Sequence, residues 1–211
     1  KAQGDNWGKE GFLAKADKNG NWLWVKDAVG GYDERVLGVW VDKVNGYVYA
    51  TGTTWTWNSN DVFSFGGCGP NFGNPGSADE IFVSKFDFNG NCVWTVGAGS
   101  DGDDHGYDLA TDKAGNIYLT GFISDHYGFP NNPGYFGSFV APLPGDSIAY
   151  VAKLSPNGIF QWVKTFDAIE GERDNRIAVD SVGNVYITGG FWGTKQFGSV
   201  FLTSSGGYDV F

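Results

Sequence analysis

The sequence lacks the features that define several large protein classes. It has no run of about 18 apolar residues, so it contains no candidate transmembrane helix. Its two cysteines, Cys68 and Cys92, are too few for a disulfide scaffold or for a zinc site, which needs three or four protein ligands. They could pair in an oxidising compartment, although their spacing does not require it. No eleven-residue stretch combines a 3.6-residue apolar period with capping residues, which argues against helices.

Positive charge is also scarce. The chain has 14 Lys and Arg against 24 Asp and Glu, a formal net charge of −10. An acidic surface repels phosphate backbones and anionic membranes, so neither nucleic acid nor a membrane surface is an expected partner. The acidity is typical of an exposed protein that must stay soluble.

Motifs of catalysis are absent as well. The sequence contains neither G-x-S-x-G nor H-E-x-x-H, and its two histidines, His105 and His126, accompany no nucleophile motif. Residues 97–102 fit G-x-G-x-x-G, but strand signals follow them and the neighbouring aspartates would repel a phosphate. We therefore predict that the chain is not an enzyme. An Asp/Glu pair of glycosidase type remains an open alternative, although no pair stands out.

What the sequence does contain favours β-structure. Aromatic residues make up 17% of the chain, and 34 of its 211 residues are glycine. Aromatic side chains fill pleated faces, and glycine serves turns that need positive φ. The composition thus predicts an all-β protein with many tight turns.

Three segments of the chain repeat one pattern. Trp24, Trp94 and Trp162 are 70 and 68 residues apart, and two other residue types keep the same two spacings. These are the lysines Lys15, Lys85 and Lys153 and the aspartates Asp42, Asp112 and Asp180. We predict repeat units at about residues 8–78, 79–147 and 148–206, with residues 207–211 entering a further unit. The repeated lysines are interpreted as structural, each close to an aspartate of its own or a neighbouring unit.

Each unit is predicted to form four antiparallel strands. The first two flank Asn19-Gly20 or its equivalent, which predicts a type I′ hairpin turn. The last two flank a turn that opens with the repeated aspartate, whose short side chain can bond the backbone two residues on. Four strands joined by tight turns make a β-propeller blade, so the fold class is all-β, with about three blades of a larger closed propeller.

The repeat resembles the bacterial β-propeller repeat known as SBBP. The third unit carries the resemblance best, in Tyr150-Val151-Ala152-Lys153-Leu154 and in residues 177–189, IAVDSVGNVYITG. The resemblance implies a secreted or surface-anchored bacterial protein, with no shared catalytic residues. Because three blades leave faces and edges uncovered, we expect the chain to be part of a longer polypeptide or to be closed by another chain.

Two long Gly-, Asn- and Pro-rich insertions hold the candidate ligand-binding residues. Exposed aromatic side chains on such loops can stack sugars or contact proteins. The alternative is that they cap their own blade edge, as the strand-like segment 62–65 indicates. The candidates are Trp55, Trp57, Phe72, Tyr127 and Tyr135.

No cofactor is predicted, with one exception that stays open. Asp101, Asp103 and Asp104 lie on a Gly-rich loop and offer the hard oxygen ligands that Ca²⁺ prefers, although a solvated acidic loop has the same sequence.

Three functions compete. The first is a non-catalytic extracellular or cell-surface module that binds a protein or a glycan, in contact with further blades or domains of the same polypeptide. The second is a propeller enzyme, a glycosidase or lyase, whose catalytic groups meet at the central channel. The third is a rigid spacer in a surface protein. An enzyme would gather carboxylates or histidines in one pocket, whereas a binding module need not.

Overall fold

The computed structural model describes residues 8–30, 32–56, 63–70, 78–125, 132–167 and 175–211. Within these ranges the chain is all-β and contains no helix, and hence none that could span a membrane. The strands, in chain order, are β1 (Gly11–Ala16), β2 (Trp22–Val29), β3 (Glu34–Asp42), β4 (Tyr47–Thr56), β5 (Ser64–Phe65), β6 (Ala78–Asp87), β7 (Cys92–Ala98), β8 (His105–Thr111), β9 (Ile117–Ser124), β10 (Gly134–Phe136), β11 (Phe139–Ala141), β12 (Ser147–Leu154), β13 (Phe160–Phe166), β14 (Arg176–Val179), β15 (Val185–Thr188), β16 (Gly190–Phe197) and β17 (Val200–Val210).

Two complete four-stranded antiparallel sheets form the centre of the molecule. The first has the order β3-β4-β6-β7, and the second has the order β8-β9-β12-β13. These sheets confirm the all-β fold class and have the architecture of propeller blades.

The sheets are offset from the sequence repeat by half a unit. Each complete sheet takes its first two strands from one repeat and its last two strands from the next. The expectation that one repeat folds into one sheet is therefore corrected. The reason is the pairing of β4, the last strand of the first repeat, with β6 of the next repeat over its whole length, from Tyr47 opposite Asp87 to Thr56 opposite Ala78.

The offset leaves a half-sheet at each end of the described chain. In each complete sheet we call the first two strands in chain order the inner strands and the last two the outer strands. β1 and β2 correspond to the two outer strands, and β5 pairs with β2. β14 and β15 have the place of the two inner strands. Beyond them β16 and β17 form a hairpin, whose end brings Phe211 opposite Gly189.

The sheets stack face to face around three apolar clusters. The largest lies between the two complete sheets and includes Tyr49, Ile81, Leu109 and Tyr150, all without exposed surface. A second joins β1 and β2 to the first sheet through Leu13, and a third joins the second sheet to β14 and β15 through Ile177. At about 25 cal/mol per Å² of buried apolar surface, these layers are the main stabilising term of the fold.

The Asn-Gly hairpins have a different turn from the one that the sequence predicted. The Gly20 N–H bonds to the Asp17 carbonyl at 3.0 Å, so Lys18 and Asn19 are the central residues. Gly20 follows at a φ of +86°. This is a three-residue loop with glycine in the left-handed region rather than a two-residue type I′ turn. One Asp17 carboxylate oxygen accepts the N–H groups of Asn19 and Asn21, at 2.8 and 2.9 Å.

The repeated tryptophan and lysine hold the turn of the next sheet along the chain. The Trp24 indole N–H and the Lys15 ammonium both donate to the carbonyl oxygen of Phe88, at 3.2 and 2.8 Å. Trp94 and Lys85 donate in the same way to Pro156, at 3.2 and 3.0 Å. We call each such set of two donors and one carbonyl a turn clamp.

The turn clamps replace the carboxylate partners expected for the lysines. The Lys85 ammonium lies 3.7 Å from the centre of the Tyr47 ring. Burial lowers the pKa of Lys85, and the charge of Asp42 partly opposes this effect. The ammonium is therefore held by a carbonyl dipole and a ring face, with Asp42 acting only at a distance.

Glycine is required in the clamped turn because the indole lies on it. A Cβ atom on Gly90 would come within 2.8 Å of the Trp24 ring, and one on Gly158 would come within 3.1 Å of Trp94. Both glycines also have positive φ, +80° and +78°. Asn-Gly thus serves two purposes, the bend of the hairpin and the contact between sheets.

Cys68 and Cys92 form a disulfide that ties the first insertion to β7. Cys68 follows the short strand β5, whose Phe65 is fully buried against Phe82 and Phe86. The strand-like segment of the first insertion therefore caps a blade edge. This is the alternative that the sequence offered to ligand binding by the insertion.

We expect Trp94→Phe to lower the free energy of unfolding by about 1–2 kcal/mol, because the smaller phenyl ring keeps part of the packing but loses the indole hydrogen bond. Trp22→Phe is the matched control, since Trp22 is an exposed tryptophan on β2. Urea denaturation of both variants and the parent measures the difference. Equal stability of the two variants would contradict a stabilising turn clamp.

We expect the double variant Cys68→Ala, Cys92→Ala to lose about 3 kcal/mol of stability, because the disulfide closes a loop across 24 residues. Denaturation with and without a reducing agent checks this. The reductant should destabilise the parent and leave the double variant unchanged, and a parent insensitive to the reductant would sink the expectation.

Candidate functional site

One end of the sheets, the upper face, carries the insertions. We define it as the end where β4 and β9 stop and where β6 and β8 begin. Of the predicted ligand-binding residues, Trp57, Phe72 and Tyr127 lie outside the described part of the chain. Trp55, the last residue but one of β4, lies opposite Asp79. It is half-buried, and its backbone N–H donates to the Asp33 carbonyl at 3.1 Å.

Tyr135 is the predicted residue that the structure places in solvent. It lies on the hairpin β10–β11, where its register partner is Val140. Tyr135 is 50% exposed and Val140 55% exposed. An aromatic and a β-branched side chain paired across an antiparallel ladder form one apolar patch, which we call the Tyr135–Val140 patch.

The hairpin that carries this patch is fixed to the sheets. Tyr135 exchanges both backbone hydrogen bonds with Gly99, at 2.6 and 3.1 Å. Phe136, the next residue, is fully buried and packs on Tyr150 and Phe160. The Asn132 amide donates to the Asp101 carboxylate at 2.6 Å. The patch is thus exposed on a preorganised hairpin. Because the hairpin is already ordered, the entropic cost of binding a partner is lower.

Two buried carboxyl groups lie at the crossings, the segments where the chain passes from one sheet to the next, and accept hydrogen bonds there. Asp104, at the entry to β8, accepts hydrogen bonds from the backbone N–H of Ser100, from the Ser100 hydroxyl at 2.7 Å and from the Ser124 N–H at 2.9 Å. Glu34, at the entry to β3, accepts from the Thr54 hydroxyl at 3.2 Å and from backbone N–H groups of Gly30 and Tyr32.

Burial disfavours the charged form of both groups. It raises the pKa of Glu34 to about 7, and hydrogen bonds from Thr54 and the backbone only partly offset it. Burial also raises the pKa of Asp104 well above its usual range, although the hydrogen bonds from Ser100 and Ser124 act to lower this pKa. Both acids act as structural hydrogen-bonding groups at the crossings.

A third buried acid, Asp79, faces His105 across the two complete sheets. The His105 Nε2 and Asp79 Oδ2 atoms are 3.8 Å apart, and both side chains are 9% exposed. Burial, reinforced by the charge of Asp103, raises the pKa of Asp79 to about 6, whereas Arg35 lowers it. His105 stacks on Phe122 with ring centres 5.0 Å apart. The pair therefore connects the two complete sheets, next to packed aromatic side chains.

The calcium interpretation finds no support in this geometry. Asp104 is committed to the two serines, and Asp101 to Asn132. Across the described ranges, no group of three or more His, Cys, Asp or Glu side chains is arranged to hold a metal ion. Asp101, Asp103 and Asp104 share a loop but serve separate contacts.

Sequence reasoning missed Glu34, Asp79 and Val140. A signal for the crossings did exist, because Glu34 and Asp104 each stand eight residues before a repeated turn aspartate, and Glu172, outside the described ranges, has the same position. No comparable signal marked Val140, because its exposure depends on how the hairpin β10–β11 docks.

Comparison with known proteins gives a distant relative. No family model matches the chain. A protein of Acanthamoeba polyphaga mimivirus, named "Uncharacterized WD repeat-containing protein L264", is 26% identical over 138 residues. The match covers 63% of this chain and 10% of the viral protein, so the chain spans about a tenth of that relative's length. The similarity points to repeat β-propeller proteins in general, without showing the SBBP family.

We expect Glu34→Gln to be more stable than the parent above pH 7 and to lose this advantage below pH 4.5. A carboxyl whose pKa is 4.5 unfolded and about 7 folded is protonated in both states at low pH, so the folded state is penalised only as pH rises through this window. The gain at pH 8 should be about 1–3 kcal/mol.

Thermal unfolding at pH 4 and pH 8 measures this difference. Asp146→Asn, at an exposed loop aspartate, removes the same charge and is the control. A pH-independent difference between Glu34→Gln and the parent would contradict the raised pKa.

Proposed function

We propose that the chain is a non-catalytic interaction module of a β-propeller protein and that the Tyr135–Val140 patch contacts a protein partner. The observation that carries the proposal is the exposure of this cross-strand pair on a hairpin that is itself anchored by Gly99 and Phe136. Aromatic side chains on rigid supports dominate the binding energy of protein interfaces. The WD-repeat relative supports an interaction role for the repeat.

The charge of the chain favours a basic partner. Asp125 and Asp146 lie at the base of the second insertion, where the Asp125 N–H bonds to the Asp146 carbonyl at 2.9 Å. The whole chain carries a net charge of −10. An apolar patch on a chain of this charge suits a protein surface with an apolar pocket and a rim of Lys or Arg.

A protein is favoured over a glycan by the chemistry of the pair. A sugar site needs an aromatic platform together with polar groups that bond the hydroxyls. Tyr135 instead has the aliphatic Val140 opposite it. Exposed aliphatic surface gains binding energy from apolar protein side chains and little from sugar hydroxyls.

We further propose that the module works outside the cell, on or near a bacterial surface. The Cys68–Cys92 disulfide supports an oxidising compartment. The resemblance to the SBBP repeat supports a secreted or surface-anchored bacterial protein. Expression in a reducing cytosol should accordingly give a less stable protein than export to an oxidising compartment.

Site-specific photo-crosslinking tests the interaction surface. A photoreactive phenylalanine analogue replaces Tyr135 in one variant and Val182 in another, since Val182 is 81% exposed in a turn at the opposite end of the sheets. We expect one discrete protein adduct from position 135 in material from the source cell and none from position 182. Val140→Asp in the first variant should remove the adduct.

Two outcomes would contradict the proposal. Adducts of equal yield from both positions would show unspecific contact. Retention of the adduct by the Val140→Asp variant would show that the Tyr135–Val140 patch does not form the contact.

A further inference from the structure

The hairpin β16–β17 has the same frame as the turns of the two insertions. In all three a glycine in the left-handed region follows a phenylalanine, and these glycines are Gly66, Gly137 and Gly198, with φ values of +58°, +60° and +61°. Each phenylalanine pairs with the residue three positions after it, in the pairs Phe65–Cys68, Phe136–Phe139 and Phe197–Val200. Turn and register agree, so one hairpin element is repeated three times along the chain.

The hairpin β16–β17 is fixed to the sheets through its phenylalanine, as β10–β11 is. Phe197 is half-buried, and its ring stacks on Phe166 of β13 with centres 5.8 Å apart. The Phe211 ring lies 4.7 Å from it on another side. One residue beyond β13, the Asp167 carboxylate accepts a hydrogen bond from the Lys195 ammonium at 3.1 Å. This hairpin is therefore also ordered before a partner binds.

The equal registers give the Tyr135–Val140 patch a counterpart. Gln196 pairs with Phe201 at the second ladder position from the turn, which is the position that Tyr135 and Val140 have in β10–β11. Phe201 is 62% exposed, and Gln196 is exposed as well. Each hairpin thus presents one aromatic ring to solvent, on its first strand in β10–β11 and on its second strand in β16–β17. We call the second pair the Gln196–Phe201 patch.

Alternation along the strands shows that this patch faces away from the sheets. Lys195 and Leu202, the next pair of the ladder, are both half-buried, whereas the pair between them and the turn is exposed. Successive side chains of a strand point to opposite sides. The hairpin β10–β11 contacts both β7 and β13, yet Val140 stays 55% exposed. Exposure at this position is therefore a property of the shared frame.

A cavity of about 540 Å³ connects the surroundings of the two patches. Pro144 and Ser147, which follow β11, line one side of it, and Gln196 of the second patch lines the other. Pro144 stands four residues after Val140, so the chain holds the two within about 14 Å of each other. The cavity thus extends from the second patch to the chain segment that leaves the first.

The lining of the cavity suits a basic side chain. Ile148 and Phe166 supply apolar surface, and Thr165 and Gln196 supply polar groups. The Asp167 carboxylate also lines the cavity and is 50% exposed beside its lysine partner. A Lys or Arg side chain has an aliphatic stem for the apolar surface and a charged end for the carboxylate. The net charge of −10 favours such a partner as well.

We propose that one protein partner contacts both patches and places a Lys or Arg side chain in the cavity between them. This inference rests on the proposed function, because it extends the contact surface of the Tyr135–Val140 patch to the next hairpin. A single partner is favoured because the second contact becomes intramolecular once the first is made, which raises the overall affinity without any further ordering of the hairpins.

Photo-crosslinking with peptide mapping tests whether one partner reaches both hairpins. The photoreactive phenylalanine analogue replaces Phe201 in one variant of the full chain and Val200 in another. Val200 is the matched control, since it is 56% exposed on the same strand but belongs to the pair that faces the other side. We expect position 201 to crosslink to the same protein as position 135, and position 200 to give no adduct.

Titration with that protein, purified, tests whether the two contacts are made at once. Phe201→Asp and Val140→Asp should each weaken binding by about tenfold, as loss of a central interface residue does. Val200→Asp should bind as the parent does. Because all three residues are exposed, circular dichroism should be the same for the three variants and the parent.

The outcomes separate this inference from the proposed function. If position 135 gives its adduct, but position 201 gives none or captures a different protein, the single partner is wrong and the proposed function stands. Binding of the purified partner that is unaffected by Phe201→Asp would also overturn the inference. Absence of an adduct from position 135 would contradict both.

Discussion

The structure depends on a turn carbonyl that belongs to one sheet and is bonded by the sheet before it. The hairpin turn leaves the carbonyls of Phe88 and Pro156 available, and an indole N–H and an ammonium from the preceding sheet reach each of them. The indole must also lie flat on the turn, which a Cβ on Gly90 would prevent. Each of these two clamps needs a tryptophan and a lysine in one sheet and an Asn-Gly turn in the next, so a shift of any one of them would break a contact between sheets.

Buried acids at the crossings complement these clamps at the opposite end of the sheets. Glu34 and Asp104 accept backbone and hydroxyl hydrogen bonds where the chain passes from the outer strand of one sheet to the inner strand of the next. Their raised pKa values show that the sites favour a neutral acid. The acidic character of the chain is thus of two kinds: exposed carboxylates that give the surface its charge, and a few buried ones that link the strands.

The clamps and the buried acids fix the sheets at both of their ends. Loops anchored on these sheets can therefore be ordered before a partner binds. The hairpin β10–β11 shows this directly, since Phe136 is part of the core while its neighbour Tyr135 is in solvent. The same stacking that fixes the hairpin also leaves an uncovered face wherever a sheet has no neighbour.

The sequence by itself determined the repeat, the strands and the places of the turns, because each of these depends on contacts within one hairpin. The alternation of apolar residues and the Asn-Gly turns act over a few residues, so they can be recognised without knowing the fold. The tertiary structure decided which hairpins share a sheet, and it placed the boundary half a unit away from the repeat. It also decided that Lys85 bonds Pro156 rather than an aspartate, that Phe65 is buried while Tyr135 is exposed, and that Cys68 meets Cys92. These outcomes depend on burying whole faces between strands far apart in the chain, and no local pattern carries that information.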